Sequence, residues 1–227
     1  MSNLFAARLV GALFIISTGS YMSASELISG VISLPDFIEH VYPNKNILTL
    51  SVLLEFVNSA AVVGIAIVMF PIVKQFSERI ALAYLSFRII EAIMLLIGAV
   101  ALLSLINIGK ELLETSASNT EYLLTMAEIL KDERYFSFQL GMIPLALCGF
   151  TLCVTFYQHR LVPRLLSALG LLGYFLLLLK VTADFFAINL GGGLLYIPGA
   201  LFELILPLWL FFKGFYLIEK PENTRFV

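Results

Sequence analysis

Seven polar side chains interrupt the apolar stretches of this sequence at spacings that could carry chemistry. They are Glu55 and Asn58, Arg88 and Glu91, Lys180 and Asp184, and Glu203. Separations of three or four residues put both members of a pair on one face of a helix. An ionisable group at the centre of a bilayer costs about 2.5–3.5 kcal/mol on insertion scales, so such residues need partners or a purpose. The set contains four carboxylates, Glu55, Glu91, Asp184 and Glu203, against two cations, Arg88 and Lys180. Two negative charges are left unmatched, and Glu26 near the end of the first apolar run is a further candidate. Either some carboxylates carry protons, or a cation, a cationic ligand or water shares their space. On this count Arg88 is a counter-ion shared among acids on several helices rather than the private partner of Glu91. Glu55 and Glu203, with no basic residue one turn away, are the strongest candidates for ligands or proton carriers.

The elements that must position these groups follow from composition. Of the 227 residues 60% are hydrophobic and 13% charged, where a soluble domain carries about a quarter charged. The deficit runs the whole length, which points to a polytopic membrane protein with the lipid bilayer as its main partner. Spanning about 30 Å of hydrocarbon takes roughly 20 residues of helix, and lipid leaves an open backbone no hydrogen-bond partner. Six stretches qualify: about 4–28, 47–73, 80–107, 136–158, 164–189 and 197–218. The expected fold is an all-α, six-span transmembrane bundle forming one integral membrane domain over 1–227. The first run is too long for a signal-peptide core and is followed by more membrane, so it reads as an uncleaved span.

Basic residues in the short connections set the orientation. With the N-terminus inside, the cytoplasmic set is Arg8, Lys74, Arg79, Arg160, Arg164, Lys213, Lys220 and Arg225. The outside set is Lys45, Lys110, Lys131 and Arg134. Both termini are therefore expected in the cytoplasm. Two outer connections have amphipathic spacing: Leu34, Phe37, Ile38, Val41 and Tyr42, stopped by Pro43, and the stretch after Ser118-Asn119-Thr120-Glu121, which has capping-box form. Both are expected as short interfacial helices on the outer side. At 1.5 Å per residue, Glu55 lies about 12 Å below the outer end of its span, Lys180 about 14 Å, and Asp184 and Glu203 about 8–9 Å. Glu91 falls near the midplane. The simplest geometry is a polar cavity open to the outside.

Several classes of function are excluded. No Lys/Arg cluster suggests nucleic acid. His40 and His159 fall on opposite sides of the membrane and cannot share a metal, and no HExxH or GxSxG motif is present. Gly191-Gly192-Gly193 is a turn rather than a phosphate loop. Cys148 and Cys153 have neither redox nor metal spacing and read as buried small hydrophobes. Nothing calls for a cofactor. Pro207, four residues after Glu203, frees the Glu203 carbonyl; a plain kink is the first reading of it, and a cation ligand beside a carboxylate the alternative. Ala7-xxx-Gly11 and Ala60-xxx-Gly64 read as close helix packing.

A set of motifs in order along the chain resembles the bacterial domain-of-unknown-function family 4386. They are Leu53-Leu54-Glu55 with Val62-Val63-Gly64-Ile65-Ala66 and Phe70-Pro71, then Phe87-Arg88 with Glu91-Ala92. Arg160-Leu161-Val162-Pro163-Arg164 with Leu166-Ser167 follows, and then Glu203 ahead of Trp209 and Lys213-Gly214-Phe215. The resemblance implies a bacterial membrane protein of six or seven spans and brings no activity. Three functions remain. The first is binding or transport of a cation or cationic small molecule, with or without proton coupling, in a multi-pass protein of the bacterial plasma membrane whose partner is a cation or an amphipathic small molecule. The second is an intramembrane enzyme acting on a lipid by carboxylate acid/base chemistry. The third is an accessory protein whose buried charges only lock the bundle.

Overall fold

The computed structural model describes residues 3–114 and 120–216. The capping-box residues Ser118 and Asn119, the last residues of the expected sixth span and the polar tail with Lys220 and Arg225 lie outside them. Every regular element among the described residues is helical: α1 (Asn3–Ile32), α2 (Phe37–Val41), α3 (Lys45–Lys74), α4 (Glu78–Glu114), α5 (Thr120–His159), α6 (Arg164–Phe185) and α7 (Ile197–Phe212). A 3-10 turn, Gly192–Tyr196, leads into α7. All but α2 are long and apolar enough to cross a membrane, the last of them together with its 3-10 turn.

The six long helices close into a ring. Each packs on its neighbour in the chain, with α1 on α3, α3 on α4, α4 on α5, α5 on α6 and α6 on α7, and α7 then returns to α1. Closure rests on backbone proximity, as expected where lipid removes the hydrophobic drive for helix association. A Cβ on Gly11 of α1 would stand 2.9 Å from the Pro207 carbonyl oxygen of α7, and one on Gly173 of α6 would stand 2.5 Å from Cα of Gly199. The expected close approach at Ala7 and Gly11 is thus present. The one at Ala60 and Gly64 is not: Ala60 lies on the outside of the bundle, and a Cβ on Gly64 would meet only the tip of Leu13 at 3.4 Å.

Leu4 lies beside Gly214, so the two described ends of the chain share one end of the bundle, here the terminal end. The other is the hairpin end. Two apolar clusters divide the interior. One fills the terminal half with residues such as Val10, Met69, Tyr84, Phe156, Leu206 and Leu210. The other, at the hairpin end, joins Ile28, Val31, Leu48, Leu102 and Leu105 to α2. The polar residues lie between them.

The helices differ from the expected spans mainly at the hairpin end. The segment expected as a second interfacial helix is the first part of α5, continuous through Arg134 to His159. At 1.5 Å per residue α4 and α5 reach about 55–60 Å, well beyond a hydrocarbon core of about 30 Å. The first amphipathic segment forms α2, and its apolar residues Phe37, Ile38 and Val41 are buried against α1 and α4. Gly109 of α4 admits the α2 backbone, since a Cβ there would meet Tyr42 N at 3.3 Å. The fifth span is shorter than expected because α6 ends in a Schellman arrangement. Ala187 takes a left-handed φ of 54°, and the N–H groups of Ala187 and Ile188 donate to Asp184 and Ala183 carbonyls. Gly191 and Gly192, both at positive φ, then turn the chain into α7.

Candidate functional site

The ring surrounds a half-open chamber of about 350 Å³, lined from all six long helices. Its polar side chains are Ser17, Thr18 and Tyr21 of α1, Asn58 of α3, Arg88 and Glu91 of α4, Tyr174 of α6, Tyr196 of the 3-10 turn and Glu203 of α7. Counting along the helices from the terminal end puts Arg88, Glu91, Tyr174 and Glu203 about 14–20 Å in, the middle of a hydrocarbon core of about 30 Å.

Ser17, Asn58, Arg88, Glu91, Tyr174 and Glu203 are each held by a neighbour on another helix or another turn. Arg88 and Glu91, 5% and 3% exposed, lie one turn apart on α4, and Nη1 donates to Glu91 Oε2 at 2.8 Å. Ser17 Oγ donates to Asn58 Oδ1 at 2.6 Å, tying α1 to α3. Tyr174 donates its hydroxyl to Glu203 Oε1 at 3.1 Å, tying α6 to α7. The Tyr174 ring lies flat against Gly149 of α5, where any Cβ would occupy the ring's place. It is also T-stacked on Phe202 at 5.7 Å. The second carboxylate oxygens of Glu91 and Glu203 accept no hydrogen bond from a described residue and open onto the chamber. Arg88 uses one donor on Glu91, and its Nε is buried without a partner.

A second cavity of about 320 Å³ adjoins the chamber toward the hairpin end, and we call it the vestibule. Its charged lining is Lys131 of α5 and an ion pair between α3 and α5. Arg134 donates from Nη1 to Glu55 Oε2 at 3.1 Å and from Nη2 to Glu55 Oε1 at 2.5 Å, and Nη1 also reaches the Gly98 carbonyl of α4 at 3.1 Å. This is the two-pronged geometry that a guanidinium offers a carboxylate. Tyr21, Leu95 and Phe138 line both cavities. Tyr21 and Phe138 stack across the boundary with centroids 6.0 Å apart and planes 9° off parallel.

The predicted residues therefore separate into two groups. Asn58, Arg88, Glu91 and Glu203 meet in the chamber. Glu55 faces the vestibule. Lys180 and Asp184 line neither cavity; they pair with each other, and Gln139 of α5 donates to Asp184 Oδ2 at 3.0 Å. Neither Glu55, Glu91 nor Glu203 faces lipid, whereas Glu26 is exposed and lines neither cavity.

Three readings of the sequence change. Glu55 has a partner, Arg134, which an interfacial assignment had placed outside the bundle. A third cation now stands against the four carboxylates, so one negative charge is unmatched rather than two, and it is on Glu203. Arg88 is bonded to Glu91 alone, and its charge acts on Glu203 without a hydrogen bond. Tyr174, Tyr21 and Gln139 were missed, since a hydroxyl or amide in an apolar run resembles ordinary core. The signal for Tyr174 was indirect: a tyrosine at the middle of a span needs a hydrogen-bond partner.

These features define a class: a multi-pass membrane protein built as a closed ring of six helices around a largely apolar chamber that carries a cluster of polar and charged side chains. The chain belongs to the family described as Domain of unknown function (DUF4386), which matches residues 9–214. That is the family its motifs resemble. No curated protein and no solved structure shows significant similarity to it. Among the described residues no group of three or more His, Cys, Asp or Glu side chains is placed to hold a metal ion.

Proposed function

We propose that the chamber binds a cation or a cationic small molecule, with Glu203 as the charge that receives it. The observation that supports this reading is the charge count. Glu55, Glu91 and Asp184 each have a basic partner within the bundle, while Glu203 has only the Tyr174 hydroxyl and keeps an oxygen open to the chamber. An isolated carboxylate in an apolar interior is costly unless something neutralises it. A cation does so, and a proton can replace it when the cation leaves, which makes proton exchange a built-in option. Glu91, Asn58 and Arg88 complete the polar lining.

Glu55 with Arg134 and Lys180 with Asp184 act as braces that hold α3 to α5 and fix the α5–α6 wall. In the expected orientation, with both ends of the chain in the cytoplasm and the protein in a bacterial plasma membrane, the vestibule faces outward and supplies the approach.

The test is calorimetric titration of purified wild-type and Glu203→Gln protein with sodium, potassium, tetramethylammonium and benzyltrimethylammonium. At least one cation should bind wild type, and the variant should bind it at least tenfold more weakly. If none binds, or if the variant binds equally well, the reading fails.

A further inference from the structure

We infer that the occupant of the chamber is an amphipathic organic ammonium, with an apolar body and a single positive charge, rather than an inorganic cation; this rests on the cation-binding reading above. Three features of the chamber select that chemistry. The first is size. About 350 Å³ is many times the space that one water needs, and far more than a desolvated metal ion fills. A bare ion would need several oxygen ligands converging on one point. The unpaired acid oxygens on offer are one from Glu91 and one from Glu203, on different helices.

The second is the wall. Phe14, Tyr21, Phe138, Tyr174 and Tyr196 come from four segments of the chain and line the same space, with Val62, Leu95 and Met142 between them. Aromatic faces around a carboxylate attract a quaternary or alkylated ammonium through the ring quadrupole and bury its methyl groups at the same time. A strongly hydrated inorganic ion gains little from such walls.

The third is the charge pattern. Arg88 and Glu91 neutralise each other on the α4 side, and Glu203 faces them from α7. A second positive charge on the ligand would meet Arg88, so one ammonium is the limit. The Asn58 amide N–H groups, whose oxygen alone is engaged by Ser17, and the Arg88 donors not used on Glu91 give a hydroxyl or ether oxygen of the ligand a place beside them.

The experiment compares two probes that differ in one atom. Choline, a hydroxyethyl trimethylammonium, and 3,3-dimethylbutan-1-ol have the same shape and hydroxyl, but one carries nitrogen with its charge where the other has carbon. Both are titrated calorimetrically into wild-type, Glu203→Gln and Phe14→Leu protein, beside sodium and potassium. Choline should bind wild type at least tenfold more tightly than the alcohol, and Glu203→Gln should erase that preference. Phe14→Leu, which removes one ring and no charge, should weaken choline about three- to fivefold. The Phe14→Leu arm stands if Glu203→Gln fails to fold. Equal binding of the two probes overturns the inference. Glu203-dependent binding of sodium or potassium with no choline binding also overturns it, yet leaves the cation-binding reading intact. Absence of binding by every cation defeats both.

Discussion

Replacing Arg134 with methionine removes the most exposed member of the internal ion pairs and tests whether the bundle depends on it. Arg134 makes three charge-assisted hydrogen bonds, two to Glu55 and one to the Gly98 carbonyl. Its side chain is 20% exposed and that of Glu55 is 9%. Removing one member of a fully buried pair costs about 3–5 kcal/mol, mostly because the other charge stays buried alone. Partial exposure here brings the expectation to about 2–3 kcal/mol. For a chain of this size, 1 kcal/mol is about 2–4 °C in Tm, so Arg134→Met should melt about 5–10 °C lower in detergent. The double variant Glu55→Met with Arg134→Met leaves no orphan charge and should return to within about 1 kcal/mol of wild type. Thermal unfolding of the four proteins completes the cycle. If the two single losses simply add in the double variant, the residues are not coupled. The assignment of Glu55 to Arg134 would then be wrong, and Glu55 would return to the candidate ligands.

Two further outcomes follow from the packing. Gly173→Ala should destabilise the protein by about 1–3 kcal/mol, because its Cβ would stand 2.5 Å from Gly199 Cα. Gly64→Ala, facing only Leu13, should melt within a degree or two of wild type. The Tyr21–Phe138 stack should limit passage from vestibule to chamber. In a background with Cys148 and Cys153 changed to alanine, Ser17→Cys should react slowly with a water-soluble maleimide, and adding Tyr21→Ala should speed labelling several-fold. An unchanged rate would show that the ring is not a barrier.

The six spans were legible because membrane-crossing helices announce themselves by length and hydropathy, and the paired spacings of Arg88 with Glu91 and Lys180 with Asp184 placed those side chains together. What the sequence hid was contact between helices. Arg134 reads as one more basic residue in an acidic connection, and only the continuity of α5 brings it down to Glu55, 79 positions earlier. The apolar stripe of 120–134 suggests a helix lying on the membrane, yet α5 runs on through it, with Leu123 and Ala127 packed inward and Tyr122 and Ile129 left exposed. The bond from Tyr174 to Glu203 was equally hidden. It depends on Gly149 vacating the space for the ring, and a glycine in an apolar run does not say which neighbour it admits. The surplus of two carboxylates falls to one because Arg134, which lies outside the expected spans, pairs with Glu55.

The location of a bound cation bears most directly on the chamber. A structure determined with 4-bromobenzyltrimethylammonium, read by the anomalous signal of bromine, should put the halogen within the chamber among the aromatic walls and the ammonium beside Glu203. Bromine found only in the vestibule near Glu55 and Arg134, or only on the lipid-facing surface, would contradict the chamber as the binding site.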